Sequence, residues 1–178
     1  MVHFHKSPNV EQAIWRPVPR INQFSSLKLS ETMDLIGREN LTGWVLNVPP
    51  HPPSEILQLN LKRLEVFDLK SSEQAKSLLI DAFLAEIISD YPKLKVWKTA
   101  GLETETLTGI ADYLLTPRRA YLKTPLLCTV EAKRDDFEKG EVQCLAEMSV
   151  CQWNNKQNSI EFDVFGIVIN GRCGSIIS

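Results

Sequence analysis

Two acids and a lysine set the chemical question. In a strand read over Leu126-Leu-Cys-Thr-Val-Glu-Ala-Lys133, alternate residues point to opposite faces. Leu126, Cys128, Val130 and Ala132 then pack, while Thr129, Glu131 and Lys133 share the other side. The preceding strand, Gly109-Ile-Ala-Asp-Tyr-Leu-Leu115, carries one lone acid, Asp112. If the two strands are sheet neighbours, Asp112 and Glu131 converge with Lys133 beside them. That set suits metal-assisted attack of water on a phosphodiester. Mg2+ (or Mn2+) takes hard oxygen ligands and keeps several waters. Asp112 and Glu131 supply carboxylates, and the Ala132 carbonyl offers a third oxygen. Such an ion offsets charge on the phosphate and lowers the pKa of a bound water. Lys133 would orient that water or stabilise the charge that develops on the transferring group. Arg118, Arg119, Lys123 and Arg134 are the candidate phosphate-binding residues. Glu-x-Lys is in itself a common pattern, and it also reads as a surface ion pair worth under about 1 kcal/mol.

The elements that must position these groups follow from periodicity and punctuation. Residues 1–53 read as an N-terminal arm with a short helical segment, closed by the Pro-rich connector Pro49-Pro-His-Pro-Pro53; proline fixes φ and such a run favours an extended path. His3 and His5 have a metal-like spacing but no third ligand nearby, so they are read as part of a terminal arm. Ser30 is read as capping a helix to about Glu39, and Thr42 to Val48 as a short strand. The main domain is placed at 54–178. Ser54 caps a helix that buries Leu57, Leu61 and Leu64. Ser71-Ser-Glu-Gln74 reads as a capping box for a helix ending near Ser89. On that helix Ala75, Leu78, Leu79, Ala82 and Phe83 form a stripe with Glu86 at its centre. A carboxylate on an apolar face is costly unless paired or coordinated; Glu86 is therefore either a buried ion-pair or edge residue, or a third metal-binding acid. Strands are expected over Leu94–Lys98, Leu102–Thr108 and Gly109–Leu115. Asp135 or Asp136 caps a helix to about Trp153, with Gly140, Gln143 and Glu147 along one side and Asn154, Asn155 and Asn158 in the loop after it. Glu161–Ile169 is the last strand. The order predicts an α/β layered domain, a mixed β-sheet flanked by helices.

Bulk composition narrows the class. With 43% hydrophobic and 24% charged residues, the chain can bury a full core and is not a disordered or fibrous type. No apolar run approaches the ~18 residues that span a bilayer, and the start lacks a secretory core; the expected address is cytoplasmic, with no membrane partner. Cys128, Cys144, Cys151 and Cys173 form no CxxC pair and are read as free thiols. No organic cofactor is called for. A net charge of −2 does not advertise nucleic-acid binding, so any such contact must come from a local basic patch or through metal.

Glu86, Gly109-Ile-Ala-Asp112, Glu131-Ala-Lys133 and Gln143 together resemble the PD-(D/E)xK nuclease superfamily, most closely its exonuclease and RecB-type branch. More narrowly, Asp112-Tyr-Leu-Leu, then Glu131-Ala-Lys-Arg-Asp-Asp-Phe-Glu-Lys-Gly140, then Gln143-Cys-Leu-Ala-Glu-Met are similar to an uncharacterised, mainly cyanobacterial group of that superfamily. The likeness covers about residues 67 to 171. It implies a restriction-endonuclease-like core, Asp112 and Glu131 (with Glu86) on metal, Lys133 as the catalytic lysine and Gln143 beside it. Three departures stand out. Ala111 replaces the superfamily's proline. Glu147 stands where RecB-type helices carry tyrosine. Arg172-Cys-Gly-Ser-Ile-Ile-Ser178 replaces a tryptophan-bearing strand, as in a shortened or frameshifted relative, and predicts an open sheet edge.

Two functions follow as expectations. One is a Mg2+-dependent nuclease acting on DNA in preference to RNA. The other is a catalytically inactive nuclease-fold protein that binds nucleic acid or protein. Self-association into a homo-oligomer is left open.

Overall fold

A computed structural model describes residues 22–42, 47–133, 136–169 and 174–178. In chain order they form β1 (Asn22–Gln23), α1 (Leu29–Ile36), α2 (Glu55–Leu64), α3 (Glu73–Ser89), β2 (Leu94–Glu103), β3 (Leu107–Pro117), β4 (Cys128–Ala132), α4 (Phe137–Gln157), β5 (Phe165–Ile169) and β6 (Gly174–Ile177). His3, His5, Arg134, Asp135 and Cys173 lie outside the described residues, as do positions 43–46 of the strand expected before the connector; Thr42, Asn47 and Val48 are not strand.

β3 is the centre of an open, mixed, six-stranded sheet. β2 runs antiparallel along one edge, from Leu94 opposite Pro117 to Glu103 opposite Thr108. The other edge is shared. β4 takes Tyr113 to Leu115 in antiparallel pairing, and β1 takes Leu107 and Thr108 in parallel. β5 lies parallel to β4 and β6 antiparallel to β5. The final residues therefore extend the sheet by a strand where an open edge was expected after β5. The three strands expected between Leu94 and Leu115 are two longer ones. Gly101 does not break β2, because its pairing with Ile110 continues the ladder. The break falls instead at Thr104, whose Oγ1 accepts from the backbone N–H of Thr106 at 3.3 Å and of Leu107 at 3.0 Å. A threonine hydroxyl that bonds its own backbone favours a turn over a strand.

Helices cover both faces. On one, Ala111 and Leu114 pack with Ala146, Val150 and Cys151 of α4. On the other, Tyr113, Val130 and Ala132 pack around Ile80 of α3. Ala111 and Tyr113 are two apart yet belong to opposite faces, so the alternation of β3 slips at Asp112. Across the ladder Thr99 takes φ +52°, a left-handed value rare for a β-branched residue. Residues before the connector also join the core: Phe24 is 2% exposed within the α4-side cluster.

Local chemistry explains the helix ends. Ser54 Oγ accepts from Leu57 N–H at 3.1 Å, as expected. Ser72 rather than Ser71 caps α3, accepting from Ala75 N–H, because the Ser71 hydroxyl donates to the Asp68 carbonyl. α1 starts before Ser30 and stops at Gly37, φ +64°, short of Glu39; a glycine there ends a helix cheaply. Asp136 caps α4 through Lys139 N–H. α4 runs on to Gln157 because Asn155, expected in a loop, is fully buried. Its Oδ1 accepts from Leu126 N–H and its Nδ2 donates to the Leu126 carbonyl, both at 2.8 Å, which pins the segment that feeds β4. Asn155→Ala leaves two buried backbone groups unsatisfied and is expected to cost about 2 kcal/mol in urea unfolding. A loss under about 0.5 kcal/mol, the range of ordinary surface changes, would show that the anchor is dispensable.

Candidate active site

The Tyr113–Val130 pair ends the β3–β4 ladder, and one residue further along each strand Asp112 and Glu131 come close enough for the Asp112 carboxylate to repel that of Glu131. Asp112 is half-buried, and its Oδ2 accepts from Ala132 N–H at 2.9 Å. A side chain thus takes over the ladder where the backbone pairing stops. Glu131 points to the α4 face with Thr129 and is 1% exposed. Its Oε1 is 2.6 Å from Lys133 Nζ, which also donates to Gln143 Oε1 at 3.2 Å. Gln143 Nε2 donates to Glu147 Oε1 at 3.2 Å, and Thr129 Oγ1 donates a short hydrogen bond to Glu147 Oε2. The sequence-predicted Asp112, Glu131, Lys133 and Gln143 are therefore brought together in one connected array.

α4 lies against β4 because its Gly140–Gln143–Glu147 side faces the strand; these three are buried in succession at helical spacing. Gly140 lets the lysine stem pass. A Cβ there would lie 2.8 Å from both Lys133 Cγ and Val168 Cγ1. Gly140→Ala is expected to destabilise by about 1 kcal/mol, overpacking of about 1–3 kcal/mol being partly offset by alanine's better helix propensity. Unfolding curves test this, and an unchanged or raised midpoint would show that the lysine can yield without cost.

Electrostatics mark the array as strained. Burial first, then the Asp112 carboxylate, push Glu131 up to about 7 despite its ammonium partner. Burial, then Glu131, push Glu147 well above the usual carboxylate range. Glu131 Oε2 is a buried oxygen with no donor directed at it, while the Glu131 and Glu147 carboxylates lie within hydrogen-bond reach of one another. A proton shared between the two acids, or a cation, satisfies that oxygen.

Glu147 and Thr129 were missed as members of the site. Their signals were present: Thr129 shares the strand face of Glu131, and Glu147 follows Gln143 by four residues on one helix side. Three other expectations fail on geometry. Glu86 does not reach the acids. Its carboxylate accepts from Ser54 N–H at 2.9 Å and Ser54 Oγ at 2.8 Å, tying α3 to the start of α2, and α3 packs on the sheet face away from Glu131. Arg118 and Arg119 follow β3 at the end opposite Asp112. Six residues at a strand rise put Arg118 about 20 Å along the sheet, where its Nε donates to the Pro92 carbonyl at 2.8 Å. Lys123 is exposed on the loop beyond them.

Among the described residues no three His, Cys, Asp or Glu side chains converge as a ready-made metal cluster. The donors that do meet are hard oxygens, and one of them is buried without a donor, which is the chemistry that suits Mg2+ or Mn2+ with water completing the shell. No helix among the described residues is long and apolar enough to cross a membrane. No family model matches the chain, and neither a curated protein nor a solved structure matches it.

Proposed function

We propose that the chain is a divalent-metal-dependent nuclease of the restriction-endonuclease-like kind, hydrolysing phosphodiesters of DNA in preference to RNA. The observation that carries this is the Asp112 carboxylate, bonded to the Ala132 N–H and near enough to repel Glu131, with Lys133 bonded to Glu131 and a buried Glu131 oxygen lacking a donor. Asp112 and Glu131 would hold the ion. When bound, it would neutralise charge on the scissile phosphate and make a coordinated water more acidic. The chain's own residues do the rest. Lys133 Nζ is fixed between Glu131 Oε1 and Gln143 Oε1, so its ammonium is aimed before substrate arrives. It orients the attacking water or meets the charge that grows on the phosphoryl oxygens. Gln143, held by Glu147, positions Lys133. The Ala132 N–H keeps the Asp112 carboxylate at the strand edge.

The experiment is cleavage of single- and double-stranded DNA with Mg2+ or Mn2+, with and without chelator. Asp112→Asn and Lys133→Ala are each expected to lower the rate roughly 100-fold or more, the scale for losing a charge-stabilising group. Cleavage that persists in both variants, or in chelator, removes the assignment.

A second reading rests on a specific observation. Glu131 is 1% exposed, and two open clefts in the structure are lined by other residues. A closed acid site suits a nuclease-fold binding module without turnover. Calorimetry separates the two: that reading predicts no heat of Mg2+ binding and no cleavage, with folding intact.

A further inference from the structure

We propose that β6 is a dimerisation edge: two copies of the chain join by antiparallel pairing of β6 with β6 across a two-fold axis, which makes one continuous sheet. Among the described residues the sheet has two outer strands, β2 and β6, and they differ in kind. An outer strand offers a row of backbone N–H and C=O groups to any extended chain, and proteins that stay apart blunt it with lysine, bulges or proline. β2 is blunted. It carries Lys95, Lys98 and Glu103, and its ladder is interrupted at Thr99, φ +52°, between the Lys98–Tyr113 and Ala100–Ala111 pairs. β6 has none of these devices. Gly174-Ser-Ile-Ile177 holds no charge and no proline, and its pairing with β5 runs without a break from Gly174 opposite Ile169 to Ile177 opposite Gly166.

The surface beside this edge is apolar. Ile176 stands opposite Ile167 and so shares its side of the sheet, the side on which α3 lies. Phe165, two residues before Ile167, is on that side too. α3 packs on β2 and β4 and leaves the outer part of this side open: Phe165 is 43% and Ile176 40% exposed. The bare backbone groups call for an extended strand, and the absence of charge says which one. A second β6 brings no like charge against the first. Antiparallel pairing of a strand with its own copy is self-complementary, so the contact closes at two chains. Opposed residues in a sheet share a side. The register with Ile176 on the axis obeys this and covers the exposed isoleucine with its own copy. The inference stands apart from any reaction at Asp112 and Glu131.

The test is sedimentation of the intact chain. A short edge buries less than the roughly 800 Å2 per partner of a standard interface, so a monomer–dimer equilibrium is expected between about 1 and about 500 µM. Ile176→Lys sets two ammonium groups against one another across the axis and is expected to weaken the dimer by about tenfold or more. Ile176→Glu is expected to do the same. An equimolar mixture of Ile176→Lys and Ile176→Glu is expected to restore a dimer of one chain of each, which a variant that merely misfolds cannot do. Lys95→Ala, on the other outer strand, and Lys133→Ala, in the acid array, are expected to associate as the parent does, so failure of the dimer and failure of the nuclease reading are separable. A monomer throughout the range overturns the proposal and leaves the edge to a foreign strand. A dimer unmoved by Ile176→Lys, or no recovery in the mixture, overturns it in favour of another surface.

Discussion

Raising the pH from about 5 to about 8 in chelator is expected to cost the folded chain on the order of 3 kcal/mol. The sign follows from proton counting. Glu131 has its ordinary value near 4.5 in the unfolded chain and is pushed to about 7 when folded. Between those values the folded state holds the extra proton, so stability is fully present below 4.5 and is lost as pH rises through 7. At 1% exposure solvent does little to soften the effect. The groups that face Glu131 come from three elements. Asp112 from β3 repels it, Lys133 on its own strand opposes the shift without cancelling it, and Glu147 from α4 is itself pushed well upward. Cys144, also on α4, is a raised thiol that stays neutral throughout. Glu86 runs the other way, its pKa lowered by the Ser54 hydroxyl and N–H; it is solvated and sets no steep slope. Urea unfolding at several pH values checks the prediction, and a flat or rising curve would contradict it. Glu147→Gln is expected to flatten the slope. Millimolar Mg2+ is expected to restore much of the lost stability near pH 8, because a cation that binds only the folded state adds to its free energy by mass action.

The acid array was legible in the sequence because each part rests on a short-range rule. Alternation along the strand put Thr129, Glu131 and Lys133 together. Helical spacing put Gly140, Gln143 and Glu147 on one side, although nothing local said that this side faces the strand. Glu86 shows where such rules stop. α3 is apolar nearly all round, so its wheel does not say which side meets the sheet. Ile80 and Ile88 are buried, while Phe83, in the expected stripe, is 45% exposed. With the helix turned this way, Glu86 meets Ser54 instead of the sheet acids. Arg118 and Arg119 fail for a topological reason. They lie a few residues from Asp112 in sequence, but a strand carries the chain away from the site at about 3.3 Å per residue. Its type alone places Asn155 in a loop, and only the Leu126 backbone groups that it satisfies explain a buried asparagine inside a helix. The strand at Gly174–Ile177 comes from pairing with β5, a long-range partner that no local pattern supplies.

Asp112→Asn and Lys133→Met are expected to move stability in opposite directions while both remove function. The Lys133 ammonium is bonded to Glu131 at 2.6 Å, and removing one partner of a buried ion pair strands the other charge. Lys133→Met is therefore expected to destabilise by about 3 kcal/mol at neutral pH, the lower end of what such losses cost, because Glu131 can take up a proton. Asp112→Asn keeps an oxygen for the Ala132 N–H and deletes a like charge beside Glu131. It is expected to be neutral or to stabilise by up to about 1 kcal/mol, and to abolish the heat of Mg2+ binding. Urea unfolding paired with calorimetric Mg2+ titration reads both quantities on the same samples. A loss of more than about 1 kcal/mol in Asp112→Asn, on the scale of a net hydrogen-bond contribution, would mean that the carboxylate serves the fold. The opposite result is the informative one. If stability holds while the heat of Mg2+ binding is lost, the charge of Asp112 serves cation binding, since asparagine keeps the bond to the Ala132 N–H.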